Sequence, residues 1–157
     1  NRELEFEFQI KARPTEFVKI HSEVLNALNG KQVRIVLEDD PDFYYVGRLT
    51  VSDLTPSGIK ANINISCDCE PYKYKLEVTT VSQAVSGSAS IILNNLRKRV
   101  VPKITTDAEF NFSWGKFSTT VSAGTFQLHE FELVAGGNLI TVEGTGNVTF
   151  EYQEGGM

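Results

Sequence analysis

The stretch "IKANINISCDC", residues 59–69, decides how this chain is read. In steps of two, Ile59, Ala61, Ile63, Ile65, Cys67 and Cys69 are apolar, while Lys60, Asn62, Asn64, Ser66 and Asp68 are polar. Strict alternation is the signature of a half-buried strand, because successive side chains point to opposite faces of a sheet. The cysteines continue the apolar face as small hydrophobes. A structural zinc site needs about four ligands, and the chain offers only these two cysteines with His21 and His129. The C-x-C spacing is also not the C-x-x-C of redox sites. Pro71, which cannot donate to a ladder, is expected to end this strand.

Upstream, Leu4, Phe6, Phe8 and Ile10 alternate with Glu3, Glu5, Glu7 and Gln9, giving a strand with one acidic face. Pro14 and Thr15 open a helix whose stripe is Phe17, Ile20, His21, Val24, Leu25 and Leu28, stopped by Asn29-Gly30. His21 lies at the edge of the stripe and reads as a boundary residue. Val33, Ile35 and Leu37 form the next strand face, and "EDDPD" (38–42) is read as a solvated hairpin turn, since it lacks the spacing of a calcium loop. Phe43, Tyr45, Gly47, Leu49 and Val51 follow, and "LTPSG" (54–58) turns the chain into the cysteine strand. The first unit is therefore α+β, β-α-β-β-β, with one helix on an antiparallel sheet.

From Leu76 onward no helical stripe occurs. Short alternating runs are expected at 89–93, 110–114, 126–128, 131–133, 139–142 and 148–152, separated by Gly, Ser, Asn and Thr. Such texture points to an all-β sandwich. Arg97, Lys98 and Arg99 read as a solvated hairpin tip, and Gly136-Gly137-Asn138 as a tight turn. The expected domains are residues 1–74 and 75–157.

Composition narrows function. The net charge of −5 comes from 15 Lys+Arg against 20 Asp+Glu, with 10 against 12 in residues 1–75 and 5 against 8 thereafter, so neither half offers a phosphate-neutralising surface for nucleic acid. No apolar run approaches a membrane span. "HEFEL" at 129–133 lacks a second histidine, "GTGN" at 144–147 lacks a dinucleotide context, and no G-x-S-x-G occurs. No catalytic residue, metal ligand or cofactor is expected, and the protein is not expected to be an enzyme. The chain begins at Asn1 within strand-like sequence and is expected to be a piece of a longer protein.

Several strings in order resemble the distal tail proteins of siphophage-type phages: "LEFEFQIKA", "PTEFVKIHSEVLNALNGK", "EDDPDFYYVGRL", "CDCEPYKY" with Pro71-Tyr72, and the ending "ELVAGGNLITVEGTGNVTFEYQEG". The resemblance covers nearly the whole chain. It implies a ring-forming N-terminal domain lacking several strands before Glu3, followed by a galectin-like sandwich. It implies a hexameric ring at the virion tail tip, assembled in the bacterial host cytoplasm. Its implied partners are further copies of itself, the tail tube protein and other tail-tip or baseplate proteins of a phage or prophage. The second reading is a carbohydrate-binding module with Trp114 and Phe112 or Phe117 as platform, although alternation places Trp114 on the core face. In the 32–51 hairpin, Val36, Tyr44 and Val46 share the face away from the helix. An apolar set facing water marks a contact with another chain, so these three are the expected oligomer interface.

Overall fold

The computed structural model describes residues 1–157. The chain divides into two compact units, Asn1–Lys73 and Tyr74–Met157. In the first, β1 (Arg2–Lys11) leads through a 3-10 turn at Pro14–Glu16 into α1 (Phe17–Leu28). There follow β2 (Gln32–Leu37), β3 (Asp40–Val51), the short β4 (Thr55–Ser57) and β5 (Lys60–Lys75), whose last two residues belong to the second unit. The helix start follows from Pro14 at the first turn and from the Glu16 carboxylate, which accepts the Arg13 N–H at 3.2 Å. It stops where Gly30 takes φ +76° and its N–H reaches the Leu49 carbonyl at 2.8 Å, tying the helix end to β3.

The sheet order is β1-β5-β3-β2. β1 pairs with β5 antiparallel over ten residues, from Arg2 opposite Cys69 to Lys11 opposite Lys60. Directly opposed residues share a face, so Leu4, Phe6, Phe8 and Ile10 join Cys67, Ile65, Ile63 and Ala61 on the side where α1 lies. The core there is built from Tyr45, Leu49, Val51, Ile63, Ile65, Cys67 and Cys69, with Val24, Leu25 and Leu28 of α1 packed against them. Of the α1 stripe only Phe17 is fully buried.

Three expectations change here. Pro71 does not end the cysteine strand, which runs on to Lys75. The reason is positional: β1 begins opposite Cys69, so beyond it one edge of β5 has no β1 partner for a missing N–H to disappoint. Ile59 is not in the strand but in the turn before it, 56% exposed. The acidic run is not all solvated turn either. Only Glu38 and Asp39 turn the chain, and Asp40 opens β3 opposite Leu37.

The second unit is all-β. Its strands are β6 (Thr79–Asn95), β7 (Lys103–Thr106), β8 (Phe110–Trp114), β9 (Phe117–Val121), β10 (Gly124–Gln127), β11 (Gly136–Tyr152) and the two-residue β12 (Gly155–Gly156), which pairs with β5. β11 organises them. Along one edge it pairs with β6 for its whole length, Gly136 opposite Asn95 through Tyr152 opposite Thr79. Along the other it pairs first with β8, at Thr141–Gly144, then with β7, at Val148–Glu151. β9 lies outside β8 and β10 outside β7. The core contains Leu93, Ile104, Phe110, Phe112, Leu133, Ile140, Val142, Val148 and Phe150, each at most 1% exposed.

The expected short runs 139–142 and 148–152 are therefore one strand of seventeen residues, matched by β6. Gly144 (φ +148°) makes this possible, because a Cβ there would lie 2.6 Å from the Phe110 ring and 2.8 Å from the Glu109 carbonyl. The partner switch from β8 to β7 is pinned by Asp107, whose carboxylate accepts the Asn147 N–H at 2.6 Å and its side-chain amide at 2.8 Å. Those bonds hold the Asp107 carboxyl below its usual value. The run 131–133 is not a strand; Leu133 makes a single bridge to Val100. Lys98 is not at a solvated tip, since its ammonium donates to the Tyr74 hydroxyl and lies 4.2 Å from that ring's centre. Gly136-Gly137-Asn138 is not a tight turn but the start of β11, opposite Asn95–Leu93, and the Asn138 amide braces it, accepting from the Val134 N–H at 2.9 Å and donating to the Leu93 carbonyl at 3.1 Å.

Candidate assembly interface

Both cysteines and His21 are engaged within the fold. Cys67 and Cys69 are free, 0% and 2% exposed, with sulfurs 3.5 Å apart. Burial, with the neighbouring Cys67 adding to it, pushes the Cys69 thiol up to about 12, which keeps it out of thiolate chemistry. His21, at the edge of the helix stripe, lies with its Nε2 2.9 Å from the Ser52 carbonyl. No group of three or more His, Cys, Asp or Glu side chains is placed to hold a metal ion.

What stands out is the first sheet itself. Its face away from α1 carries Glu3, Glu5 and Glu7 on β1, all exposed, beside Asp68, Ser66 and Asn64 on β5. On β2 and β3 the same face carries Arg34 directly opposite Val46. β1, β5 and β3 are tied together by a polar cluster at the start of β3. Asp40 accepts from Lys73 at 2.7 Å and from the Tyr45 hydroxyl at 3.2 Å, while Arg2 donates to that hydroxyl at 3.1 Å. The Lys73 hydrogen bond is the main reason the Asp40 carboxyl stays below its usual value. Sequence reading missed this cluster, because its members are spread from Arg2 to Lys73.

The three expected interface residues occupy different environments. Val36 is 48% exposed, Val46 is half-buried, and Tyr44 is 9% exposed. Arg34 covers the Tyr44 ring with its guanidinium 5.0 Å from the ring centre. Val36 has no regular partner on β3, because the β2–β3 register shifts between Ile35 and Leu37. Tyr44 is thus covered by its own chain. A charged substitution there would disturb the folded unit as well as any contact with a neighbour, so it cannot separate the two.

On the α1 side, the helix leaves part of the sheet open. A groove of about 300 Å³ crosses that face, lined by Phe6 and Phe8 of β1, Val33 and Ile35 of β2, and Leu28 at the helix end. Phe8 is 50% exposed. The signal for Phe8 was present in the alternation of β1, but nothing in the sequence says that α1 falls short of it.

A scan against protein families matches none, and no curated protein matches. Among solved structures, the chain is similar to "SPP1 Dit (gp 19.1) protein", described as a "paradigm of hub adsorption apparatus in Gram-positive infecting phages". The TM-score is 0.60 at 18% identity, covering 97% of this chain and 78% of that one. The fold is shared. In the second unit, Trp114 stacks against Phe117 (ring centres 6.0 Å apart), meets Phe131 at 5.1 Å, and donates its indole N–H to the Glu130 carbonyl. The indole is engaged on its ring and on its polar tip, which disfavours it as a sugar platform. Phe112 is fully buried.

Proposed function

We propose that this chain is a structural component of a phage or prophage tail tip, a distal tail hub protein. In this reading the first unit forms a ring, six copies in the intact protein, that joins the tail tube to the baseplate or receptor-binding apparatus. The second unit is a galectin-like sandwich that serves as a docking module. The role is structural, without catalysis or cofactor, and the location is the virion tail tip after assembly in the host cytoplasm. The observation that carries this reading is the likeness to the SPP1 hub protein over 97% of the chain, in the same order of strings that resembles the distal tail family. A sheet with two open ends and a partly uncovered apolar face supports it, since such surfaces are normally completed by other chains. Val36 and Val46, with Tyr44 beneath Arg34, are proposed to lie in or beside the subunit contact.

The test is location. Gold-labelled antibody against this chain should decorate the distal end of the tail in virions from the phage that encodes it. Labelling confined to the capsid, or absent from purified particles, would sink the proposal.

A further inference from the structure

We propose that the outer edge of β6, in the second unit, is a docking site for an extended segment of another protein, which adds to the sheet as a strand antiparallel to β6. β6 pairs with β11 along one side over its whole length. No other strand, turn or loop bonds the main chain of residues 79–92, so the other side carries a row of open N–H and C=O groups. Proteins normally blunt such an edge by keeping it short, by charging it, or by breaking it with proline. The two outermost strands on the opposite side of the sheet are short, β9 with five residues and β10 with four. β6 has seventeen residues, and none of them is charged or proline. An edge of that length, left unguarded, suits capture of an extended chain, with main-chain bonds for affinity and alternate side chains for specificity.

The side chains around the edge set the chemistry of the segment. On the core-facing side, Val85 and Ile91 are buried while Ala89 is only half covered. Gly87 stands between Val85 and Ala89 at φ +84°, and a Cβ there would meet nothing within 4 Å. A bulky apolar residue of the incoming strand fills the place beside this glycine, as aromatic residues do opposite edge glycines. Branched residues two places to either side of it then lie beside Val85 and Ala89.

On the outward side, Ser86, Ser88 and Ser90 are small and exposed. Glu143 of β11 stands directly opposite Ser88 and is exposed without an ion pair. Glu151, farther along the same strand, is already held by Lys103 at 2.5 Å. An incoming residue beside Ser88 lies two strand spacings from Glu143, roughly 9.5 Å. A lysine there reaches the carboxylate over the short serine. The partner segment is therefore apolar at alternate positions and carries a cation next to its bulkiest side chain. A one-residue slip would turn that cation toward the core, so the register is fixed. Docking here is independent of ring formation by the first unit.

The probe is a fluorescent peptide, Ile-Thr-Val-Lys-Phe-Thr-Val-Thr, added to the full chain and followed by anisotropy. Saturable binding is expected, with the lysine beside Ser88 and the phenylalanine beside Gly87. Two further versions carry N-methyl groups, each on a different set of alternate residues. One should lose binding and the other keep it, because an added strand turns only alternate N–H groups toward its neighbour. Glu143→Lys should weaken binding about tenfold, the size of one well-placed ion pair. Exchanging the peptide's lysine for glutamate should restore binding to that variant. No binding at millimolar peptide, equal binding of the two methylated versions, or indifference to Glu143→Lys overturns the site. Each of those results leaves the hub reading standing, since that reading is tested by location in the virion.

Discussion

Replacing Phe112 with alanine is expected to destabilise the protein by about 3–5 kcal/mol, the range for losing a fully buried phenyl ring. Phe112 is 0% exposed. Its ring meets Phe126 nearly edge-on at 5.9 Å and Phe150 at 6.3 Å and 88°. Its backbone stands opposite Val142 in the β8–β11 ladder. The paired strands hold the walls of the resulting cavity apart, so the site cannot collapse to recover the lost contacts. Phe117→Ala is the control, since Phe117 is 55% exposed at the start of β9 and should cost less than about 1 kcal/mol. Urea denaturation of both variants measures the difference. A Phe112→Ala midpoint close to the parent's would mean that the second unit is not organised around this aromatic cluster.

The second large effect is expected at Gly47. Alanine there is predicted to cost about 3 kcal/mol, at the upper end of overpacking penalties, although a single methyl group is added on a strand that otherwise favours side chains. A Cβ at this position would lie 2.5 Å from the Cys67 sulfur, 2.7 Å from the Asp68 carbonyl oxygen and 2.9 Å from the Cys69 Cα. Two of these three atoms are backbone of the neighbouring strand and cannot rotate away. The Cys67 sulfur is fully enclosed, so it has little room either. β3 and β5 would have to part in the middle of the sheet. Pairing the change with Cys67→Ala should recover only part of the loss, because the backbone clashes remain. Thermal denaturation of the single and double variants reads this directly, and full recovery in the double variant would contradict it.

Gly47 also marks the limit of what the sequence discloses. The cysteine strand was legible because its period of two survives over eleven residues, and the β1 alternation and the α1 stripe were legible for the same kind of reason. That a glycine rather than a valine follows Val46 could be seen, but its purpose depends on a sulfur twenty residues away. The same holds for Tyr44, which reads as exposed from the hairpin pattern and is covered because Arg34 crosses from the adjacent strand. Gly144 and Gly146 read as strand breaks, yet they let β11 carry on while it changes partners from β8 to β7. Local pattern announces which face a residue occupies. It does not announce which distant backbone will press on it.

The candidate interface divides along the same line. The acidic row of Glu3, Glu5 and Glu7 and the apolar row of Phe6 and Phe8 were plain in the sequence. The strand order, which places β1 at one end of the sheet and β2 at the other, is not legible in either row.

Assembly is the most direct test of the whole account. Sedimentation velocity of the purified chain over a wide concentration range should show a discrete species of about 105 kDa, six times the 17.5 kDa chain mass, and electron micrographs of that fraction should show rings. A single 17.5 kDa species at every concentration up to the solubility limit would contradict it.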